Sequence, residues 1–406
     1  MTTLSVVIPA YNEERGISDI INRVLAVKDD LNTVGICDLQ VLVVDDGSRD
    51  QTARIANEIA AENKSVHLIR HPKNKGYGAA LKTGFYQAQS ELIGFIDADG
   101  TYPPEYFPQL CQLAMDGKEL IIASRMTGTD SKMPIMRRIG NLFFANLLSL
   151  LGRQRITDCA SGMRVFKREV LEHIYPLPDG LNLTPVMSTR ALHEGIKMAE
   201  IPIPYSERVG RSKLRLFRDG SVFLQSMIWT VLTYNPVRIL GMIGLAGIGI
   251  AGMVLAGLIA ARLSGITSLS PWGVAFLFAS LVCGVTGVSI FALGITFNYL
   301  VSLFYKRPIR QGLFGRPIFN PSIDHHFGWL GILGVLGGLI LALISLALSI
   351  GGWEIGRLWL YLLGSAMLIL TGTQLVIYWI LLRVLDELSR REKLVENDLN
   401  PALSNL

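Results

Sequence analysis

Hydrophobic and polar positions follow two different regimes along this chain. Up to about residue 215, short apolar runs are separated by charged segments with helical spacing. Leu4–Ile8 is a β-branched run ended by Pro9 and predicts a buried strand. Ile17, Ile20, Ile21, Val24 and Leu25 then recur with the period of a helix. Gln40–Val44 predicts a second strand, ended by Asp45-Asp46-Gly47-Ser48, with Ser48 or Asp50 placed to cap the next helix. Val66–Arg70 reads as a third strand and 78–89 as a helix. Leu92–Ile96 reads as a fourth strand, ended by Asp97-Ala98-Asp99-Gly100, and Glu119–Ala123 as a fifth. Continuous apolar strands alternating with helices predict an α/β domain with a mostly parallel sheet covered on both faces. Ligands of such sheets bind beyond the carboxyl ends of the strands. The clusters Tyr11-Asn12-Glu13, Asp45-Asp46 and Asp97-Ala98-Asp99 all fall at such ends, so they are expected to converge on one rim.

Beyond about residue 236 the regime changes. The stretches 237–261, 274–304, 329–350 and 359–382 each reach the roughly 20 apolar residues that cross a bilayer. Trp272, Trp329, Trp353, Trp359 and Trp379 sit near their ends, as an aromatic belt would. Arg208, Arg211, Lys213, Arg215, Arg218 and Arg238 precede the first stretch or open it. Lys306, Arg307, Arg310 and Arg316 follow the second, and Arg383, Arg390, Arg391 and Lys393 follow the fourth. The other two loops offer only Arg262 and Arg357. The positive-inside rule then places both termini and the first half in the cytoplasm. Between them, 214–235 mixes basic with large apolar residues and predicts two amphipathic helices on the membrane surface. The expected division is 1–213, 214–235, a four-helix transmembrane bundle over 236–385, and a cytoplasmic tail, 386–406.

Composition agrees. Of 406 residues half are hydrophobic and 17% are charged, against about 25% in an ordinary soluble chain. This excludes a purely soluble enzyme, a disordered chain and a fibre. The net charge of +5 is small, and its basic residues cluster beside the apolar stretches. That suits a membrane surface and not nucleic acid. Cys37, Cys111, Cys159 and Cys283 lack metal or disulfide spacing and are expected to be buried, reduced thiols. Met1–Val7 has no basic segment or cleavage site, so no signal peptide is expected. Six glycines of the first apolar stretch permit close helix packing, in a bundle or a homo-oligomer.

The candidate chemistry lies at the strand ends. In extended backbone, Asp97 and Asp99 would point to the same side. Paired hard oxygens suit Mg²⁺ or Mn²⁺, with a nucleotide diphosphate completing the shell; the plain alternative is a solvated turn. Asp45-Asp46 reads either as a turn with a helix cap or as carboxylates hydrogen-bonded to a nucleoside. Tyr11-Asn12-Glu13 reads as a helix start or as a base and ribose contact. No GxGxxG follows the first strand and no P-loop is present; Gly76-Tyr77-Gly78 alone is a weak match.

The ordered series is more specific than its members. SVVIPAYNEE (5–14), VLVVDDGSRDQT (41–52), NKGYGAALKTGF (74–85), FIDADGTYPP (95–104) and ASR (123–125) resemble family 2 glycosyltransferases of the GT-A fold. DCASGMRVFKR (158–168) and ERVGRSKL (207–214) resemble those acting on polyprenyl phosphates, such as dolichol-phosphate mannose synthase and the bacterial undecaprenyl-phosphate enzymes. The resemblance covers about residues 4–235. It implies inverting transfer of one sugar from a nucleotide-diphosphate sugar to a polyprenyl phosphate, with Mg²⁺ or Mn²⁺, at the cytoplasmic face of a prokaryotic plasma membrane. Pro9, Tyr11, Glu13, Asp45, Asp46 and Ala98 would contact the nucleotide sugar. Asp97 and Asp99 would hold the metal. Thr101 stands where relatives often carry Gln, so its hydroxyl would be the third ligand, directly or through water. Arg125 would lie near the phosphates. Arg137 and Asn141 would bind the acceptor phosphate, with Asn141 standing where relatives often have Ser. Asp158 and Ser161 would shape the acceptor side, and Arg208 and Lys213 would close over the diphosphate or grip the acceptor. Which sugar and which nucleotide stay open.

Three other readings compete. A processive polysaccharide synthase carries Q-x-x-R-W before its spans; here Gln225-Ser226-Met227-Ile228-Trp229 lacks the Arg. A transfer to a different lipid is a second. A lipid flippase with a cytoplasmic regulatory domain is a third, disfavoured because the apolar stretches carry almost no charge to mark a path.

Overall fold

The apolar runs of the first half form strands, and the periodic segments between them form covering helices. A computed structural model describes residues 2–126, 133–151, 154–206, 216–304 and 323–399. In chain order the elements are β1 (Thr2–Ala10), α1 (Ile17–Ala26), α2 (Lys28–Thr33), β2 (Ile36–Asp45), α3 (Thr52–Glu62), β3 (Val66–Arg70), α4 (Tyr77–Gln87), β4 (Leu92–Ile96), α5 (Phe107–Met115) and β5 (Leu120–Ser124). They continue with α6 (Ile135–Leu151), β6 (Met163–Lys167), α7 (Val170–Ile174), α8 (Leu183–Glu194), β7 (Met198–Pro202), α9 (Leu216–Tyr234), α10 (Pro236–Leu263), α11 (Pro271–Phe304), α12 (Phe327–Ile350) and α13 (Ile355–Leu399). Two compact units result, Met1–Val231 and Leu232–Leu406.

The first unit is built on a seven-stranded sheet in the order β3-β2-β1-β4-β6-β5-β7. Its pairs are parallel except those of β6, which runs antiparallel between β4 and β5. Both faces are covered. Leu4, Val6 and Ile8 of β1 pack with Ile17, Ile20 and Ile21 of α1. Val7 faces the other way, into the cluster of Leu81 and Phe85 from α4. β1 is longer than its apolar run suggests, continuing through Pro9 to Ala10. The proline is tolerated because its missing N–H falls on the β4 side, where pairing has ended at Val7–Phe95, while Ala10 still accepts from the Asp46 N–H on the β2 side. β6 and β7 had no counterpart in the hydrophobic pattern.

From Leu216 to Tyr234 one continuous helix, α9, replaces the two expected surface helices. Phe223, Met227 and Val231 are buried at helical spacing, and Met227 joins the core beneath the sheet. Trp229 on the opposite side is 62% exposed. The thiol of Cys37 is exposed, on an outward position of β2 between the buried Ile36 and Leu39, and Cys283 is half-buried, so only Cys111 and Cys159 are buried as expected.

The second unit contains four helices long and apolar enough to cross a membrane, Pro236–Leu263, Pro271–Phe304, Ile323–Ile350 and Arg357–Leu388. These match the four apolar stretches, each slightly extended. α10 meets α11 where a Cβ on Gly287 would strike the Gly244 carbonyl, and α12 meets α13 where one on Gly372 would strike the Gly331 carbonyl. Backbones this close allow only glycine.

Candidate active site

β1, β2 and β4 are parallel neighbours, so the loops leaving them open on one edge of the sheet. A cleft of about 540 Å³ lies there, within the size range of small-molecule sites. The end of β1 gives it Pro9, Tyr11 and Glu13, the end of β2 gives Asp46, and the end of β4 gives Asp97, Ala98 and Asp99. Arg125 enters from the end of β5, and Arg137 and Asn141 from α6. The clusters anticipated at the strand ends therefore share one rim.

The acidic turn has a different shape from the one predicted. β4 ends at Ile96, and residues 97–100 turn, with Gly100 at a positive φ of 72°. The alternation of an extended chain does not apply to Asp97 and Asp99; the turn brings both to the cleft. Asp99 Oδ1 accepts the Thr101 hydroxyl at 2.6 Å and the Thr101 N–H at 3.2 Å. Thr101 is buried, with its hydroxyl directed at that carboxylate. Asp97 Oδ1 accepts the Tyr77 hydroxyl at 2.8 Å. Burial, followed by the nearby Asp97 charge, raises the Tyr77 pKa well above that of an ordinary phenol, so the hydroxyl stays a donor. A Cβ on Gly162 would overlap the Asp97 carboxylate, which explains why that position of the SGMR segment carries no side chain.

At the other end of the cleft the two adjacent aspartates separate. Asp45 is buried and does not line the cleft; its Oδ1 accepts the Ser48 N–H at 3.1 Å and its Oδ2 faces Arg70 at 3.4 Å. Asp46 reaches the cleft and holds the turn into α4. Its Oδ1 accepts the Lys75 N–H at 2.9 Å and its Oδ2 the Gly76 N–H at 2.8 Å. His71 Nδ1 lies 2.7 Å from Asp46, and its Nε2 lies 2.9 Å from the Thr83 hydroxyl. No local sequence signal marked His71.

Arg125 is the cation at the centre. Its Nε and Nη2 donate to Asp158 at 2.7 and 2.8 Å, and its guanidinium lies 5.7 and 5.4 Å from the ring centres of Tyr102 and Tyr205. Burial opposes the charge on both partners, but the pairing together with the neighbouring groups prevails: Asp158 is held below the usual carboxylate range and Arg125 well above its own. Asp158 is fully buried behind Arg125 and does not itself line the cleft. Ser161 is likewise buried, donating to the Ala123 carbonyl at 2.6 Å. Asn141 donates to the Thr157 carbonyl at 3.3 Å. Arg208 and Lys213 lie outside the described residues.

The sequence reading also missed Arg164, on β6. It is fully buried and donates to the Ser161 carbonyl at 3.2 Å, the Ser188 hydroxyl at 2.9 Å and the Cys159 carbonyl at 2.7 Å. Burial lowers its pKa. α6 has two characters. Arg137, Gly140, Asn141 and Phe144 line the cleft, whereas Ile135, Met136, Ile139, Leu142 and Phe143 are each at least half exposed.

An α/β unit of this topology, with carboxylates and a held arginine at the carboxyl edge, defines a GT-A glycosyltransferase. The model of "Glycosyl transferase family 2" matches residues 5–175, and that of a domain of unknown function (DUF8752) matches residues 236–396. The dolichyl-phosphate hexose transferase of Haloferax volcanii is 32% identical over 225 residues, 55% of this chain and 92% of that protein. The low-salt glycan biosynthesis hexosyltransferase Agl6 of the same organism is 34% identical over 222 residues, 54% of this chain and 51% of that one. Glucosyl-3-phosphoglycerate synthase from Mycobacterium tuberculosis, solved with Mn²⁺ and UDP-glucose, is 21% identical at a TM-score of 0.45, covering 57% of this chain and 80% of its own. The chain belongs to glycosyl transferase family 2.

Proposed function

We propose that this enzyme transfers a single sugar, with inversion, from a nucleotide-diphosphate sugar to a polyprenyl phosphate at the cytoplasmic face of a prokaryotic plasma membrane, with both termini cytoplasmic. The observation that carries this reading is α6: one of its faces lines the cleft with Arg137 and Asn141 while the other exposes large apolar side chains. A lipid-borne phosphate needs both. The relationship to a dolichyl-phosphate hexose transferase supports the same acceptor class.

Pro9, Tyr11, Glu13 and Asp46 hold the nucleoside end. Asp97 and Asp99 hold a divalent ion. Among the described residues no group of three or more His, Cys, Asp or Glu side chains could hold a metal. The pair fits Mg²⁺ or Mn²⁺, which usually take one or two protein carboxylates and complete their shells with substrate phosphates and water. When bound, such an ion neutralises charge on the leaving diphosphate. Arg125, fixed by Asp158, presents a second positive charge to the same group without having to reorient. Arg137 and Asn141 orient the acceptor phosphate, and Arg208 and Lys213 close over the site. One acceptor oxygen attacks the anomeric carbon as the bond to the diphosphate breaks on the opposite face. A phosphate monoester with a second pKa near 6 is already largely ionised at neutral pH, so the chemistry needs cations more than a general base.

The test uses the purified full chain with polyprenyl phosphate, Mg²⁺ and a panel of labelled nucleotide sugars. A single acid-labile sugar extracted with the lipid is the expected product. Polymer, or no lipid-bound label from any donor, overturns the reading.

A further inference from the structure

We propose that Tyr77 and Gly162 are positioning residues that together fix the carboxylate of Asp97 in the orientation that takes a divalent cation. This rests on the metal role proposed above for Asp97. The two residues act on the carboxylate in different ways. The Tyr77 hydroxyl donates to Oδ1 at 2.8 Å. A Cβ on Gly162 would overlap the carboxylate, with Oδ2 its nearest atom. A donor thus holds one oxygen, and the space left by a missing side chain seats the other.

Neither contact is left to chance by the backbone. Tyr77 opens α4, and the start of that helix is tied down by the Gly76 N–H on Asp46 Oδ2 at 2.8 Å and by the Ala79 N–H on the Asp179 carbonyl at 3.1 Å. Gly162 is pinned twice. Its N–H donates to the Tyr102 hydroxyl oxygen at 2.6 Å, and its carbonyl accepts the Asp97 N–H at 3.2 Å. Two segments remote in sequence therefore converge on one carboxylate from supports that do not depend on it. Carboxylates that ligate metals are commonly oriented by such hydrogen-bonded partners, and losing a partner typically weakens metal binding about 10–100-fold. The neighbouring Asp99 is oriented by its own turn, through Thr101, so the two aspartates are set independently.

The test titrates Mn²⁺ into the full chain in detergent micelles, with UDP and separately with GDP present, and counts free Mn²⁺ by electron paramagnetic resonance. Tyr77→Phe, which removes one oxygen atom, is expected to weaken Mn²⁺ binding about 10-fold with an unshifted thermal unfolding midpoint. Gly162→Ala is expected to weaken it at least as much. Wild-type protein that binds Mn²⁺ while both variants match it overturns the positioning role and leaves the proposed activity standing. Lost affinity accompanied in both variants by a lowered unfolding midpoint overturns it in favour of general packing. No Mn²⁺ bound by wild type with either nucleotide overturns the metal reading itself, and this inference with it.

Discussion

Arg125 and Asp158 hold each other through both ends of a fork, Nε to Oδ2 at 2.7 Å and Nη2 to Oδ1 at 2.8 Å, and the Arg125 N–H adds a third bond to Oδ2 at 3.0 Å. One carboxylate thereby fixes both the backbone and the side chain of the cation that enters the cleft. The carboxylate's own backbone is held in turn. Glu200 accepts the Thr157 hydroxyl at 2.6 Å, the Thr157 N–H and the Asp158 N–H.

Asp158→Asn should therefore damage both stability and catalysis. It leaves a nearly buried guanidinium without its counter-charge, and breaking a buried pair in this way costs about 3–5 kcal/mol. Urea unfolding of the full chain in micelles measures the first effect. Sugar transfer should fall by about 100-fold or more, read as kcat with donor KM less affected.

The same pair sets an acid limit. The folded pKa of Asp158 lies below its unfolded value, so its contribution is complete above the ordinary carboxylate range. That contribution is lost as pH falls through the lowered value. Wild-type stability should decline below about pH 4, and Asp158→Asn should flatten that decline. A denaturation midpoint that falls equally in both proteins would sink this assignment.

Asp99→Asn should abolish transfer and leave the protein folded. The substituted side chain keeps an oxygen for the Thr101 hydroxyl and N–H and loses only its charge. Transfer should fall about 1,000-fold, and chelation of divalent ions should reproduce the loss in wild type. Full activity of the variant, or in chelator, refutes the metal role.

Arg164→Met should be among the most destabilising single changes in the first unit. It removes the donors to two buried carbonyls and the Ser188 hydroxyl, and each unsatisfied buried group costs about 1–3 kcal/mol. Lysine, which cannot span the same acceptors with a planar fork, should recover only part of the loss in a melting experiment.

Ile139→Glu on α6 should raise the acceptor KM several-fold and leave the donor KM unchanged. Ile139 is 57% exposed, so little core packing is lost. Equal effects on both substrates would show that this face has no part in lipid access.

The five strands read from apolar runs were legible because buried parallel strands need no alternation. The four apolar helices were legible because length and hydropathy alone define them. β6 and β7 were not. β6 carries Arg164 and β7 carries Glu200, charges that read as surface until Ser188, Cys159 and Thr157 arrive from elsewhere in the chain to satisfy them. The rim was visible as three acidic or polar clusters, but not the division of labour within them. Asp45 and Asp46 are adjacent and chemically identical; only the fold turns one inward and the other to the cleft. Tyr77 stood between two glycines in the 74–85 segment, and nothing local in the sequence pointed its hydroxyl at Asp97.

The antiparallel course of β6 matters beyond the sheet. A parallel strand offers this edge only the chain that leaves it, whereas β6 offers the chain that enters. The pairing of Ile96 with Met163 therefore sets what stands beside Asp97. A slip of one residue would bring the Met163 side chain where Gly162 now leaves space. Site accuracy is in this sense a property of strand register, which has no halfway state. A slipped β6 would therefore harm the chemistry and the core together, because the same shift turns Met163, Val165 and Phe166 to the opposite faces of the sheet.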